Sequence, residues 1–118
     1  MCLTPEEWVR QHTINYLTTY LNYPIGRMRA EGKTSKVAGY WQRADILLYN
    51  ETKGVSGIVE CKSALERLCE ATIQQMMRYN RGQVPLLIFT NGLRLFCFQR
   101  GDAHYVLCPE IPKFSYVS

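Results

Sequence analysis

Two β-rich segments, Arg43 to Tyr49 and Val55 to Lys62, are separated by the polar run Asn50-Glu51-Thr52-Lys53-Gly54. Strand-forming residues on either side of a short polar connection that ends in glycine are the pattern of a β-hairpin. A turn near Thr52 and Lys53 faces residues whose numbers sum to about 105, so Asp45 falls across from Glu60 to within one position. Side chains alternate along a strand, which puts Glu60 and Lys62 on one face and Cys61 on the other. The fold must therefore hold two carboxylates on adjacent strands, ~5–6 Å apart.

The remaining elements surround this hairpin. Thr4, Pro5 and the Glu6-Glu7 pair read as an N-cap, a first-turn proline and two acids at the positive end of a helix dipole. The helix they start runs about 18 residues with Trp8, Val9, His12, Ile14, Tyr16, Leu17, Tyr20 and Leu21 on its apolar side, and Asn22-Tyr23-Pro24 stops it. Arg27 to Glu31 reads as a short edge strand, and Gly32 to Gly39 as a loop. A second helix, capped by Ser63 and running to Tyr79, carries Leu65, Leu68, Cys69, Thr72, Met76 and Tyr79 on one side. Leu86 to Phe89 is apolar on both faces and so reads as a buried strand; a turn at Asn91-Gly92, a strand over Leu93 to Phe98 and a short strand over His104 to Leu107 follow. The order α-β-β-β-α-β predicts an α/β fold, a mixed central sheet flanked by helices, with the strand at Leu86 parallel to the one at Ile58.

The 118 residues suit one domain over 1–118, with 47% apolar and 20% charged side chains, the mix of a soluble folded chain. Fourteen Lys and Arg against ten Asp and Glu give a formal charge of +4, a mild excess that favours a polyanionic partner without requiring one. The longest apolar stretches, Ile46 to Tyr49 and Val84 to Phe89, fall far short of the ~18 residues a membrane span needs, and no basic stretch leads into an apolar signal segment. The expectation is a cytoplasmic protein without a membrane partner. The odd count of five cysteines fits no disulfide framework, so Cys61, Cys97 and Cys108 are expected as small buried hydrophobes.

Asp45 and Glu60 lie in otherwise apolar segments, where an unpaired charge costs several kcal/mol. A cation between them relieves the repulsion, and all-oxygen ligation suits Mg²⁺ or Mn²⁺. The Cys61 backbone carbonyl completes the protein ligands, water and a substrate phosphate the rest, and Lys62 is placed to hold the attacking water. Gln75 and Tyr79 share one helix face at i, i+4 spacing, and Glu7 sits in the first turn of the first helix within reach of the same metal. The bland counterpart is a solvated acid pair with a lysine salt bridge worth ~0–1 kcal/mol.

Asp45, Glu60-Cys61-Lys62 and Gln75-Met76-Met77-Arg78-Tyr79, in that order on strand, strand and helix, resemble the D, ExK and QxxxY motifs of the PD-(D/E)XK nuclease superfamily. More narrowly, Thr4-Pro5-Glu6-Glu7-Trp8-Val9-Arg10-Gln11, Arg43-Ala44-Asp45-Ile46, Val59-Glu60-Cys61-Lys62 and Thr90-Asn91-Gly92 resemble the amino-terminal nuclease domain of type I restriction enzyme R subunits. The resemblance implies a restriction-endonuclease-like core with Asp45 and Glu60 as metal ligands and Lys62 as the catalytic lysine. Gln75 and Tyr79 would orient the site and Glu7 would be the first-helix acid. It also implies Mg²⁺ or Mn²⁺ as cofactor, DNA as substrate, and motor or methyltransferase subunits as partners. Ala44 stands where the superfamily has proline.

Other motifs are set aside. Gly26 to Thr34 has five residues between its glycines where a P-loop has four. Its basic residues and their neighbours, Arg27, Arg29, Lys33, Lys36 and Arg43, are better read as a face that touches a phosphate backbone, with Arg78, Arg81 and Arg94 as a second set. Tyr40 and Trp41 are assigned to packing and His12 to the core. Zinc at Cys97, His104 and Cys108 lacks both a CxxC pair and a fourth ligand. Two rivals to a nuclease remain: a catalytically silent module that binds nucleic acid or a protein, and an assembly subunit that dimerises through the strand at Leu93 to Phe98.

Overall fold

The computed structural model describes residues 5–30, 34–37, 40–43, 45–50, 52, 54–63, 69, 73, 84–101 and 104–113, with 34–37 and 40–43 as backbone. Helix α1 spans Pro5–Tyr20. Its hidden row is Val9, Thr13, Leu17 and Leu21, one residue every four, and all are buried. Thr13 is accommodated there because its hydroxyl donates to the Val9 carbonyl at 2.7 Å. Trp8, His12, Tyr16 and Tyr20, expected on the core side, form the adjacent row and are exposed. A flat sheet accepts only a narrow stripe of a helix, so His12 stacks on Trp8, with ring centroids 5.3 Å apart, instead of entering the core. Asn22 adopts the left-handed region (φ 63), and Tyr23 N–H returns to the Leu17 carbonyl at 3.1 Å, which ends the helix where the sequence placed its stop.

After a single 3-10 turn over Ile25–Arg27 come eight strands: β1 (Met28–Ala30), β2 (Thr34–Val37), β3 (Tyr40–Arg43), β4 (Ile46–Tyr49), β5 (Val55–Cys61), β6 (Leu86–Thr90), β7 (Leu95–Arg100) and β8 (Tyr105–Cys108). Six of them form one sheet in the order β1-β4-β5-β6-β7-β8, in which β5 and β6 are parallel and the other neighbours antiparallel. The expected parallel pairing appears as Ile58 beside Leu87.

The predicted hairpin forms with Ile46 opposite Val59, Leu47 opposite Ile58 and Leu48 opposite Gly57. Asn50 builds its turn: the side-chain oxygen accepts from the Thr52 N–H, the Thr52 hydroxyl and the Gly54 N–H, at 3.0, 2.8 and 2.9 Å. Gly57 lets β4 and β6 close on β5, since a Cβ there would lie 3.0 Å from Leu48 Cδ1 and 3.4 Å from Leu86 Cβ.

Alternate residues of these strands feed two cores. On the α1 face, Val9, Leu17 and Leu21 pack with Ile46, Leu48, Val59, Cys61, Leu86, Ile88, Cys97 and Ile111. On the opposite face, Leu47, Ile58, Leu87 and Phe89 pack with Ile73 and Val84. Ile73 and Val84 thus sit on the second face, and a helical bond from Ile73 N–H to the Cys69 carbonyl (3.1 Å) lies within the predicted second helix. Most of that helix falls outside the described residues. Cys69, expected on its apolar side, is exposed, and Ile73 is the residue that enters the core.

Three sequence expectations are corrected. Residues 34–37, read as loop, form β2, which pairs with β3 from Thr34 opposite Arg43 to Val37 opposite Tyr40. The β-branched and aromatic residues of this stretch outweigh its glycine and lysine. Arg43 consequently belongs to β3, and β4 begins only at Ile46. The strand expected over Leu93 to Phe98 starts at Leu95, because the Asn91 side chain accepts from the N–H groups of Leu93 and Arg94 at 2.9 and 2.8 Å and keeps both in the turn. That strand is also interior, between β6 and β8, so it offers no edge for a dimer. No helix among the described residues is long and apolar enough to cross a membrane.

Candidate active site

Asp45 stands at the bend just before β4 and is 2% exposed. Continuing the hairpin register by one position sets it opposite Glu60. Both its backbone and its side chain are tied to β5: Asp45 N–H donates to the Val59 carbonyl at 3.1 Å, and Oδ2 accepts from Cys61 N–H at 2.7 Å. The other edge of this stretch is fixed by β6, where Cys61 pairs with Thr90 and Lys62 N–H donates to the Thr90 carbonyl at 2.8 Å. Glu60-Cys61-Lys62 is therefore held between two neighbours at the end of the strand. Glu60 and Lys62 are half-buried, beside the fully buried Cys61.

Cys61 faces α1. Burial, then the Asp45 charge, pushes its thiol up to about 12; Glu60 adds to the rise, whereas a hydrogen bond from Thr13 and the Arg10 charge oppose it. Two inferences follow. The sulfur is held protonated in the metal-free chain, and Cys61 meets Asp45 through its backbone N–H. And Asp45, Glu60 and Arg10 all lie within electrostatic reach of this one side chain.

The donor set fits a hard cation. The hydrogen bond from Cys61 occupies Oδ2 of Asp45 and leaves Oδ1 for another ligand, and one N–H bond compensates a buried carboxylate only in part. With Glu60 and a backbone carbonyl, the ligands are oxygens, as Mg²⁺ or Mn²⁺ requires. Among the described residues no three His, Cys, Asp or Glu side chains cluster, so water and substrate would supply the remaining ligands. The same finding disposes of zinc at Cys97, His104 and Cys108.

Of the other expected site residues, Glu7 is half-buried in the first turns of α1. Gln75, Arg78, Tyr79, Arg81 and Lys33 lie outside the described residues. Arg27 is half-buried in the 3-10 turn, and Arg29 is exposed on β1, one residue before Ala30, which pairs with Ile46 beside Asp45. Lys36 and Arg43 fall on β2 and β3, with Trp41 opposite Lys36. Arg94 is exposed over the Phe96 ring at 5.8 Å. Thr13, Thr90 and Arg10 were given no role from sequence. Thr90 and Arg10 stood in the motif runs quoted above, but only the folded strands show that the Thr90 carbonyl holds Lys62.

The type I restriction enzyme R protein N-terminal family matches residues 5–112. The chain belongs to this family. The R-protein N terminus also resembles a solved structure described as a cryo-EM structure of a DrdV–DNA complex. The identity is 22% and the TM-score 0.56, over 87% of this chain and 10% of that one. It thus spans about a tenth of that structure's length, and the likeness bears on the fold alone, the expected mixed α/β sheet. No match was found among the curated proteins. Family and fold together make the chain a restriction-related domain.

Proposed function

We propose that this R-protein N terminus is a metal-dependent deoxyribonuclease of the PD-(D/E)XK type. The observation that carries the reading is the buried Asp45 carboxylate, anchored on the Cys61 N–H and leaving one oxygen beside Glu60-Cys61-Lys62. Asp45 and Glu60, with the Cys61 carbonyl, would hold Mg²⁺ or Mn²⁺, and Glu7 would hold a water of its shell. A bound divalent ion supplies Lewis acidity at a phosphoryl oxygen and a lowered pKa for water.

The chain's own residues do the positioning. Lys62, fixed through its backbone to Thr90, orients the attacking water and places a positive charge where negative charge gathers on the phosphorus oxygens. Arg27 and Arg29, on the segment that leads to the acids, would contact the DNA backbone, with Lys33, Lys36, Arg43 and Arg78 as further contacts. Gln75 and Tyr79 would orient the site from the second helix.

Plasmid, linear and single-stranded DNA, incubated with Mg²⁺ or Mn²⁺, test the proposal. Cleavage by the wild type that is lost in Lys62→Ala supports it, whereas equal cleavage by both proteins would expose a contaminant. Binding of Mn²⁺ with no turnover on any nucleic acid would assign the chain to a silent binding module.

A further inference from the structure

Cys97 and Cys108 stand directly opposite each other as partners in the antiparallel ladder of β7 and β8. Opposite residues in such a ladder share one face of the sheet. Here it is the α1 face, where Cys97 belongs to the core and Cys108 packs against the same cluster. Both thiols are free, Cys97 buried and Cys108 half-buried. They also act on one another: after burial, the charge of Cys108 and a hydrogen bond with it push the Cys97 thiol up to about 12. Neither residue belongs to the candidate active site, and the odd cysteine count gave no sign of the pairing.

The ladder fixes what kind of disulfide the pair can make. Gly101 N–H donates to the His104 carbonyl at 2.7 Å, so these two form a hydrogen-bonded pair. The unbroken register repeats that pattern at every second position, at Gln99 with Val106 and then at Cys97 with Cys108. Cα atoms of such a pair lie about 5.5 Å apart, inside the disulfide range. The Cβ atoms of opposite residues, about 4.5–5.5 Å apart, must close to about 3.5–4.5 Å, so the bond forms under strain. Strand β8 can follow, because it has four residues and lies at the end of the sheet order. Strained disulfides are the readily reduced ones, which suits a bond that is made and unmade.

We propose that Cys97 and Cys108 are a peroxide-responsive dithiol that closes to a disulfide and clamps β8, with the segment after it, onto the sheet. A small oxidant suits a sulfur that is only partly exposed. The Cys108 thiolate attacks hydrogen peroxide: an S–O bond forms, the O–O bond breaks, and the departing hydroxide takes up the thiol proton as water. The Cys97 sulfur then attacks the Cys108 sulfenic acid; the S–S bond forms, the S–O bond breaks, and hydroxide leaves with the Cys97 proton as a second water. Two thiols are oxidised and one peroxide is reduced. Cys97 holds its proton tightly and would be slow alone, but the ladder keeps it beside its target. The segment after Cys108 is already tied at its far end, where the Tyr23 hydroxyl donates to the Pro112 carbonyl at 2.7 Å. Pro109, Glu110 and Ile111 between these ties line a cleft with His12 and Tyr16, so the clamp firms one wall of that cleft.

The test treats the full chain, carrying Cys2→Ser and Cys69→Ser, with hydrogen peroxide and maps it by mass spectrometry. Trypsin, cutting after Arg94, Arg100 and Lys113, should release 95–100 and 101–113 as one joined species, formed within a single chain and separated again by reduced glutathione. In Cys97→Ala the Cys108 sulfenic acid should persist and take up dimedone, whereas Cys108→Ser should yield neither the joined species nor dimedone on Cys97. Amide hydrogen exchange over β8 and 109–113 should slow about tenfold or more in the joined form. Peptides that stay separate while Cys108 is oxidised further, joining only between chains, a bond that glutathione leaves intact, or unchanged exchange overturns the proposal.

Discussion

The carboxylate of Asp45 accepts a hydrogen bond from the backbone N–H of Cys61 at 2.7 Å. One acid of the pair is thereby fastened to the strand that carries the other, so the Asp45 carboxylate is placed by the β5 backbone and the Glu60 rotamer sets the rest of their separation. The bond also gives Asp45 two separable duties: accepting for the fold and ligating for the chemistry.

Those duties come apart on substitution. Asp45→Ala leaves the buried Cys61 N–H unpaired and should lower stability by about 1–3 kcal/mol. Asp45→Asn keeps an oxygen acceptor and should stay within about 1 kcal/mol of wild type, yet lose Mn²⁺ binding because the charge is gone. Urea unfolding and titration calorimetry on the two variants check both halves.

Lys62 is held by its backbone, its N–H donating to the Thr90 carbonyl at 2.8 Å. Lys62→Ala should therefore unfold within about 0.5 kcal/mol of wild type while cleavage falls about 100-fold or more. Chelation of divalent ions should abolish cleavage by the wild type, and added Mn²⁺ should restore it. A gel assay with matched unfolding curves measures both.

Gly92 combines a left-handed backbone, φ 88, with close neighbours: a Cβ would stand 3.3 Å from Val9 Cγ2. Gly92→Ala should cost about 1–2 kcal/mol, seen as a lower Tm, because the strain of positive φ adds to a contact that α1 can relieve only by moving.

Three groups keep their protons longer in the native chain than in the unfolded one. Burial, reinforced by Asp45 at Cys61, by Cys108 at Cys97 and by the Cys97 charge at Tyr23, pushes each up to about 12. The unfolded chain releases these protons near about 8.5 for thiols and about 10 for tyrosine. The native state then holds more protons, so stability is full below about pH 8.5 and falls as pH climbs towards 12. Urea midpoints at pH 8 and pH 10.5 should show the decline. In a mild alkylation experiment read by mass spectrometry, the exposed Cys69 should react before Cys61 and Cys97.

The sequence made the hairpin register readable to within one position because Asn50 to Gly54 fixes where the chain turns, although the register shifts once, between Tyr49 opposite Val55 and Leu48 opposite Gly57. It also made readable the two-sided burial of β6, since Leu86 to Phe89 offers no polar face. The bend at Asp45 was hidden, because it depends on a side chain bonding to the backbone of another strand. Likewise, the helical pattern of α1 counted Trp8 and Tyr16 as core, although a sheet beneath a helix has room for one row and Thr13 fills its place by bonding to Val9. Arg10 gave no signal in spacing or composition. Its Nε is buried with no hydrogen-bond partner among the described residues, which only coordinates reveal.

Strands β2 and β3 pair with each other and share no ladder with the six-stranded sheet, although they interrupt the chain between Ala30 and Ile46, which sit side by side. The excursion behaves as a detachable cassette: a change in its length or charge would leave Ala30 paired with Ile46, and so the bend at Asp45 in place, because no ladder ties it to the sheet.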